Sequence, residues 1–345
     1  MNLGRLQKKS LDLLLAGLTA PDPVISADAA RLLGELARPE TMEALLAYVS
    51  SSPYYSKTAG FYALLQIGRP EACDHILPLI ENPGVGDDWV WYGRYLVRIS
   101  AALSVLALDP TREPGVIDEA CRSEHWTHRT FCLFYSPVIL MLPATNEKTV
   151  LLRKKTLECL FSKKFFQPDH LCMMSRALGL LGGAEAIEQL KWLQGHPSRF
   201  VRGEAAYHLL KGAGGESHLG FGLELFEKEP TEYAKLKLSA GLLALGQKKQ
   251  GDFLRKTIEM EKDFFLRATA VELAGRERCL EALPLLILRL KDEHPYVRQC
   301  SVEALDALQI AEGLAQIEPL LEDGNQRVRM QAAKCVLSSV AGGEP

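Results

Sequence analysis

The sequence predicts an all-α solenoid, a stack of two-helix modules, on three observations. One phrase returns through the second half: HPSRFVRGEAAYHLL from His196, KDFFLRATAVELAG from Lys262, HPYVRQCSVEALDAL from His294 and NQRVRMQAAKCVL from Asn325, with a weaker copy, PTEYAKLKLSAGLLALG, from Pro230. Its spacing is regular: Pro197 to Pro230 is 33 residues, Pro230 to Asp263 is 33, and Asp263 to Pro295 is 32. A period of about 20–50 residues marks stacked repeats. No segment alternates apolar and polar residues as a half-buried strand does.

In chain order, Leu3, Leu6, Leu11, Leu14 and Leu18 make one helical stripe. Basic residues ahead of it imitate a short signal peptide, but Asp12 breaks the apolar run, so a helix is expected there and export is not. The repeat phrase then appears as DPVISADAARLLGEL from Asp22, SPYYSKTAGFYALLQIG from Ser52, RYLVRISAALSVLAL from Arg94 and, shortened, HLCMMSRALGLLGG from His170. Between these lie amphipathic segments at 41–49, 71–80, 184–193, 219–227, 251–259, 281–290 and 313–321. The unit is therefore helix, turn, helix, with Pro, Gly and Asp/Asn marking the turns. Paired alanines (Ala29-Ala30, Ala101-Ala102, Ala205-Ala206, Ala332-Ala333) allow close helix approach, and leucines fill the layers.

We read residues 1–345 as one continuous array of about nine to ten modules, irregular at 82–94 and 109–166. Each module is expected to touch only its neighbours, which makes residues 2–18 and 338–345 the two caps.

Composition places the chain among ordinary globular proteins: 47% hydrophobic, 24% charged, with a formal net charge of −3, which excludes a strongly basic nucleic-acid coat. No apolar run reaches the ~18 residues of a membrane span. None of the 8 cysteines has C-x-x-C spacing; most sit in leucine-rich helical stretches, and a reducing, cytoplasmic setting is expected.

A basic ladder holds equivalent positions in successive modules: Lys57, Arg98, Arg129, Arg176, Arg202, Lys235, Arg267, Arg298 and Arg329. Such guanidiniums either pair with acids of the turns, among them Asp263, Asp292, Glu293 and Asp323, or form a stripe for an acidic partner. A second basic cluster, Lys148, Arg153, Lys154, Lys155, Lys163 and Lys164, interleaves with Phe161, Phe165 and Phe166; the pattern suits a solvated helix face with core phenylalanines first, and single-stranded nucleic acid second. Trp89, Trp91 and Tyr92 follow Asp87 and Asp88 in a Gly/Pro-rich insertion; Trp and Tyr bury much area with few rotors, so these are candidate protein-binding anchors. Tyr207, His208 and Lys211, with Arg202 and Arg298, are candidate groove residues.

Cys121, His125, His128 and Cys132 are spaced 4, 3 and 4 residues apart. A tetrahedral zinc site needs four converging ligands, and one straight helix supplies an adjacent pair, so no metal is expected. There is no G-x-S-x-G, P-loop or dinucleotide fingerprint, so no catalytic residue is assigned and no cofactor is expected.

The chain resembles the HEAT repeat family, in particular HEAT-like repeats of the bilin lyase type. Val201-Arg202, Leu266-Arg267, Val297-Arg298 and Val328-Arg329, with the Ala and Leu positions after them, carry the resemblance. It implies a right-handed, armadillo-like superhelix whose Val–Arg helices line the concave side. It implies no single activity, because the family spans scaffolds, transport factors, bilin-attachment proteins and DNA-repair relatives. The paired His-Glu motifs of the iron-binding HEAT-fold hydroxylases are absent: Glu124-His125 and Glu293-His294 run in reverse order.

The function expected first is a non-catalytic scaffold or adaptor that binds another protein, since such a face is large enough for the ~1,200–2,000 Å² of a specific interface. Nucleic-acid binding through a basic groove, as in HEAT-like DNA glycosylases, is the alternative, and tetrapyrrole handling of the bilin lyase type the third.

Overall fold

The computed structural model describes residues 3–82, 92–112, 115–118, 135–142, 147–161, 167–213, 215–309 and 315–341. Every regular element among them is helical, as an all-α solenoid requires. The helices are α1 (Leu3–Leu18), α2 (Pro23–Leu36), α3 (Met42–Ser51), α4 (Tyr54–Ile67), α5 (Ala72–Glu81), α6 (Tyr92–Leu108), α7 (Ser136–Met141), α8 (Glu147–Phe161), α9 (Pro168–Leu181), α10 (Gly183–Leu193), α11 (Arg199–His208), α12 (Leu219–Lys228), α13 (Glu232–Ala244), α14 (Lys248–Met260), α15 (Phe264–Arg276), α16 (Leu283–Arg289), α17 (Pro295–Leu308) and α18 (Gln326–Ala341).

Side-chain caps start several of the second helices. Asp22 accepts a hydrogen bond from the Val24 N–H at 2.8 Å with Pro23 in the first turn, and Asp263 does the same for Phe265 at 2.8 Å. Asn325 accepts from the Arg327 N–H at 2.9 Å. These side chains satisfy amides that the helix leaves unpaired. The paired alanines of the phrase are all buried and let neighbouring backbones approach.

The ladder residues tie turns together. Arg202 donates from Nη1 to the carbonyls of His196 and Pro197, both at 2.9 Å, and from Nε and Nη2 to the two Glu229 oxygens at 2.9 and 2.7 Å. Arg267 repeats this arrangement: Nη1 reaches the Glu261 and Lys262 carbonyls, and Nε and Nη2 form a two-point pair with Asp292 at 2.8 Å each. Arg298 and Arg329 bind the carbonyls of Asp292 and Asp323 at the same offset, 2.9 and 2.7 Å away. Lys57 gives its buried ammonium to the carbonyls of Val49 and Ser50, and Arg98 reaches Ile80 O. Of the two expectations for the ladder, pairing within the turns describes these residues, with backbone carbonyls sharing the role given to acids. A planar guanidinium with five donors can bind its own turn and the next turn at once.

The described residues form two compact units. The second comprises those of 132–140 and 156–316, where α9, α11, α13, α15 and α17 pack side by side in chain order.

The first unit comprises those of 1–131, 141–155 and 317–345, and it corrects the expectation of two separate caps. Helix α18 packs on α1 and α2, α2 on α4, and α4 on α6. The last module therefore stands ahead of the first in one stack, and α1 is an interior member of it. Val328, Met330 and Ala333 are buried with Leu14, Leu18 and Ala29. Gly17 permits the contact: a Cβ there would lie 2.7 Å from Met330 Sδ and 2.8 Å from Ala29 Cβ. Around this apolar centre, Arg327 pairs with Asp28 at 2.6 Å, Lys334 with Glu35 at 3.6 Å, Lys9 with Glu322, and Arg38 donates to Leu337 O. A repeat presents complementary side faces, so the exposed face of the last module can bury the exposed face of the first.

Candidate binding site

The densest polar cluster described lies on the second helices of the second unit. Glu204 of α11 is its centre, 2.8 Å from the Lys237 ammonium of α13 and 3.6 Å from Nε2 of His208. The Tyr233 hydroxyl donates to Glu204 at 3.1 Å. Tyr207 donates to Glu277, which also takes a 2.7 Å bond from Lys211. The Tyr207 ring meets three cations: Lys211 at 5.5 Å, Lys237 at 5.6 Å and Arg276 at 5.9 Å from its centroid. Such ring–cation contacts strengthen where water is excluded.

Local backbone shape places Lys211. Helix α11 runs into a π-helical segment, Leu209–Ala213. This widened turn is a form often found at functional sites. It brings Gly212 against α9, where a Cβ would lie 2.5 Å from Gly179 O, so the approach needs glycine.

Burial and charge set the protonation states. Burial pushes the Glu204 carboxyl up, but hydrogen bonds and charges from His208 and Lys237 outweigh it and hold the group down at about 2. Burial, with the neighbouring Lys237 and Arg176 charges, moves His208 below its usual value against the pull of Glu204. Burial, then Glu277, raises the Tyr207 phenol; burial, then Glu204, raises Tyr233. Cys172 of α9, pushed up to about 12 by burial and by Glu204 and Asp169, stays a thiol. The phenols and this thiol are thus donors and packing groups, not activated nucleophiles.

A cavity of about 160 Å³ in the second unit is lined by Leu243, Lys248, Lys249, Gly251, Asp252, Arg255, Cys279 and Glu281. Its Arg255 is paired with Asp252, and burial raises the Cys279 thiol. Among the described residues no group of His, Cys, Asp or Glu could hold a metal ion, and no helix is long and apolar enough to cross a membrane.

Of the residues singled out from sequence, Tyr207, His208 and Lys211 come together here. Arg202 and Arg298 spend donors on the turns. Lys148 pairs with Asp118 at 3.1 Å and Arg153 donates to Leu142 O at 2.9 Å, while Lys154 and Lys155 lie on α8. Tyr92 opens α6. Trp89, Trp91, Arg129, Lys163, Lys164 and the Cys121–His125–His128–Cys132 set lie outside the described residues.

Sequence reasoning missed Glu204, Tyr233, Lys237, Arg276 and Glu277. One signal was available: Glu204 and Lys237 each stand two residues after their ladder position, so stacking sets opposite charges side by side.

A family model described as HEAT repeats matches residues 251–338. Among solved structures, an engineered protein matches at 15% identity over 99% of this chain and 100% of that one, with a TM-score of 0.31. Human deoxyhypusine hydroxylase in complex with glycerol matches at 16% identity over 79% of this chain and 97% of that one, with a TM-score of 0.37. No curated protein matches the chain.

Proposed function

We propose that this chain, in which residues 251–338 are HEAT repeats, is a non-catalytic scaffold that binds another protein along the face of its second helices. The observation that carries the reading is the network joining Glu204, Lys237, Tyr233, Tyr207 and Glu277 across α11, α13 and α15. Buried and internally paired, it fixes the side chains above it, which is what a preorganised binding surface needs. The muted thiol and phenols at the same place favour binding over bond chemistry. Nucleic-acid binding draws little support, because the ladder guanidiniums of Arg202, Arg267, Arg298 and Arg329 and the pair Lys148 and Arg153 are engaged by the protein itself. The free cysteines Cys73, Cys159, Cys279, Cys300 and Cys335, all buried, suit a reducing, cytoplasmic setting.

The test is site-specific photo-cross-linking in cells. A cross-linking residue at Glu303, exposed on α17, is expected to capture a partner that one at Lys256, exposed on α14, does not. Equal capture from both positions, or capture from Lys256 alone, contradicts the reading.

A further inference from the structure

We propose that Arg176, Lys211 and Arg276 form a subsite that takes carboxylate side chains from an acidic segment of the protein partner. The inference rests on the scaffold reading and adds the chemistry of what is bound.

The three cations come from separate modules: two of them share the Tyr207 ring, and the third lies by His208, whose ring is 5.1 Å from that of Tyr207. Lys211 and Arg276 both lie over Tyr207. Arg176 belongs to the same face of α9 as Cys172 and Gly179, four residues after the one and three before the other. Cys172 feels the charge of Glu204, and the open side of Gly179 abuts His208, with a would-be Cβ 2.8 Å from His208 Cβ. Arg176 is thereby held between those two levels, where its charge acts on His208.

The charges are layered. The side chains of Lys211 and Arg276 are 40% and 43% exposed and Arg176 is exposed, whereas Glu204 and Glu277 are 19% and 4% exposed. Solvent therefore meets Lys211, Arg276 and Arg176 first, and Glu204 and Glu277 lie beneath with the buried ammonium of Lys237. Donors remain for a ligand. Arg276 bonds Glu272, Lys211 bonds Glu277, and Arg176 makes no ion pair or hydrogen bond among the described residues. A guanidinium binds a carboxylate through two parallel bonds, which fits separate acidic side chains.

A phosphate polymer fits less well. Glu272, 29% exposed, pairs with Arg276, so the cations are separate points broken by an acid and not a continuous basic track. Three cations on a chain of formal net charge −3 do not make the long run of phosphate contacts that nucleic-acid binding uses.

The experiment measures fluorescence anisotropy of a labelled peptide of alternating Glu and Gly with the full chain, beside a Lys/Gly peptide and an oligothymidylate of matched length. The wild type is expected to bind the acidic peptide. Arg176→Glu and Arg276→Glu should each weaken binding about ten-fold or more, and Lys256→Glu should leave it within about two-fold. Circular dichroism checks folding; if Arg276→Glu unfolds, Arg176→Glu, which breaks no ion pair or hydrogen bond among the described residues, decides alone. No binding of the acidic peptide, unchanged binding by Arg176→Glu, or tighter binding of the oligothymidylate with displacement of the peptide overturns the proposal. Failure here with partner capture intact at Glu303 removes the subsite and leaves the scaffold; loss of the Glu303 capture removes the scaffold itself.

Discussion

Arg327 and Asp28 lie 299 residues apart in the chain, yet Nε of one is 2.6 Å from Oδ2 of the other. That pair rims the contact by which α18 joins α1 and α2 in a single stack. Helices α1 and α2 are thus stabilised by residues about 300 positions further along the chain.

Removing 317–345 should uncover the α1–α2 face and loosen it. Hydrogen exchange is expected to rise in α1 and α2 while α13 and α15 keep their protection, because repeat stability is a sum over nearest neighbours. Gly17→Val tests the same contact more gently: the added side chain meets Met330 and Ala29 and should cost about 1–3 kcal/mol in denaturant unfolding. Unchanged exchange in α1 after truncation would contradict the shared stack.

Removing one partner of the Arg267–Asp292 pair should be severe. Both side chains are buried, at 5% and 1% exposure, so Asp292→Ala takes the buried acid from Arg267, leaving it only the exposed Glu293 at 3.7 Å, and should cost about 3–5 kcal/mol. Arg31→Ala, which removes a surface pair with Glu35 on α2, should cost no more than about 0.5 kcal/mol. Equal losses by chemical denaturation would show that the ladder is not the staple described.

Acid should weaken the second unit through Glu204. Its carboxyl is held down at about 2, below the ordinary 4.5, so the network's contribution is full above about pH 4.5 and is lost as pH falls toward 2. Glu204→Gln should shrink the drop in Tm across that window relative to the wild type. A mutant with the same acid sensitivity would show that Glu204 gains nothing from Lys237 and His208.

Cys172 should resist alkylation. With its thiol pushed up to about 12, little thiolate exists at neutral pH, and iodoacetamide should label it only after unfolding. Labelling of the native chain at the rate of a free cysteine would contradict the burial assigned to it.

Much of this fold was legible because its signals are local. Asp22, Asp263 and Asn325 start helices wherever they occur in the phrase, and paired alanines recur where helices cross. The Glu204–Lys237 pair was legible in principle, since equal offsets in adjacent modules become neighbours. Tyr207–Glu277 was not. It joins residues 70 apart, past a helix whose Ala240, Gly241 and Ala244 are small, and depends on the π-helical turn after His208. The α18–α2 contact left no sequence mark either, because any module's side face resembles the next, and local pattern does not say which module closes on which.

The proposed binding face is tested most directly by hydrogen exchange of the full chain with and without the Glu/Gly peptide. Added protection is expected on α9, α11 and α15, around Arg176, Lys211 and Arg276, with α10, α12, α14 and α16 unchanged. Protection confined to those first helices, or none at a peptide concentration that saturates anisotropy, would contradict the account.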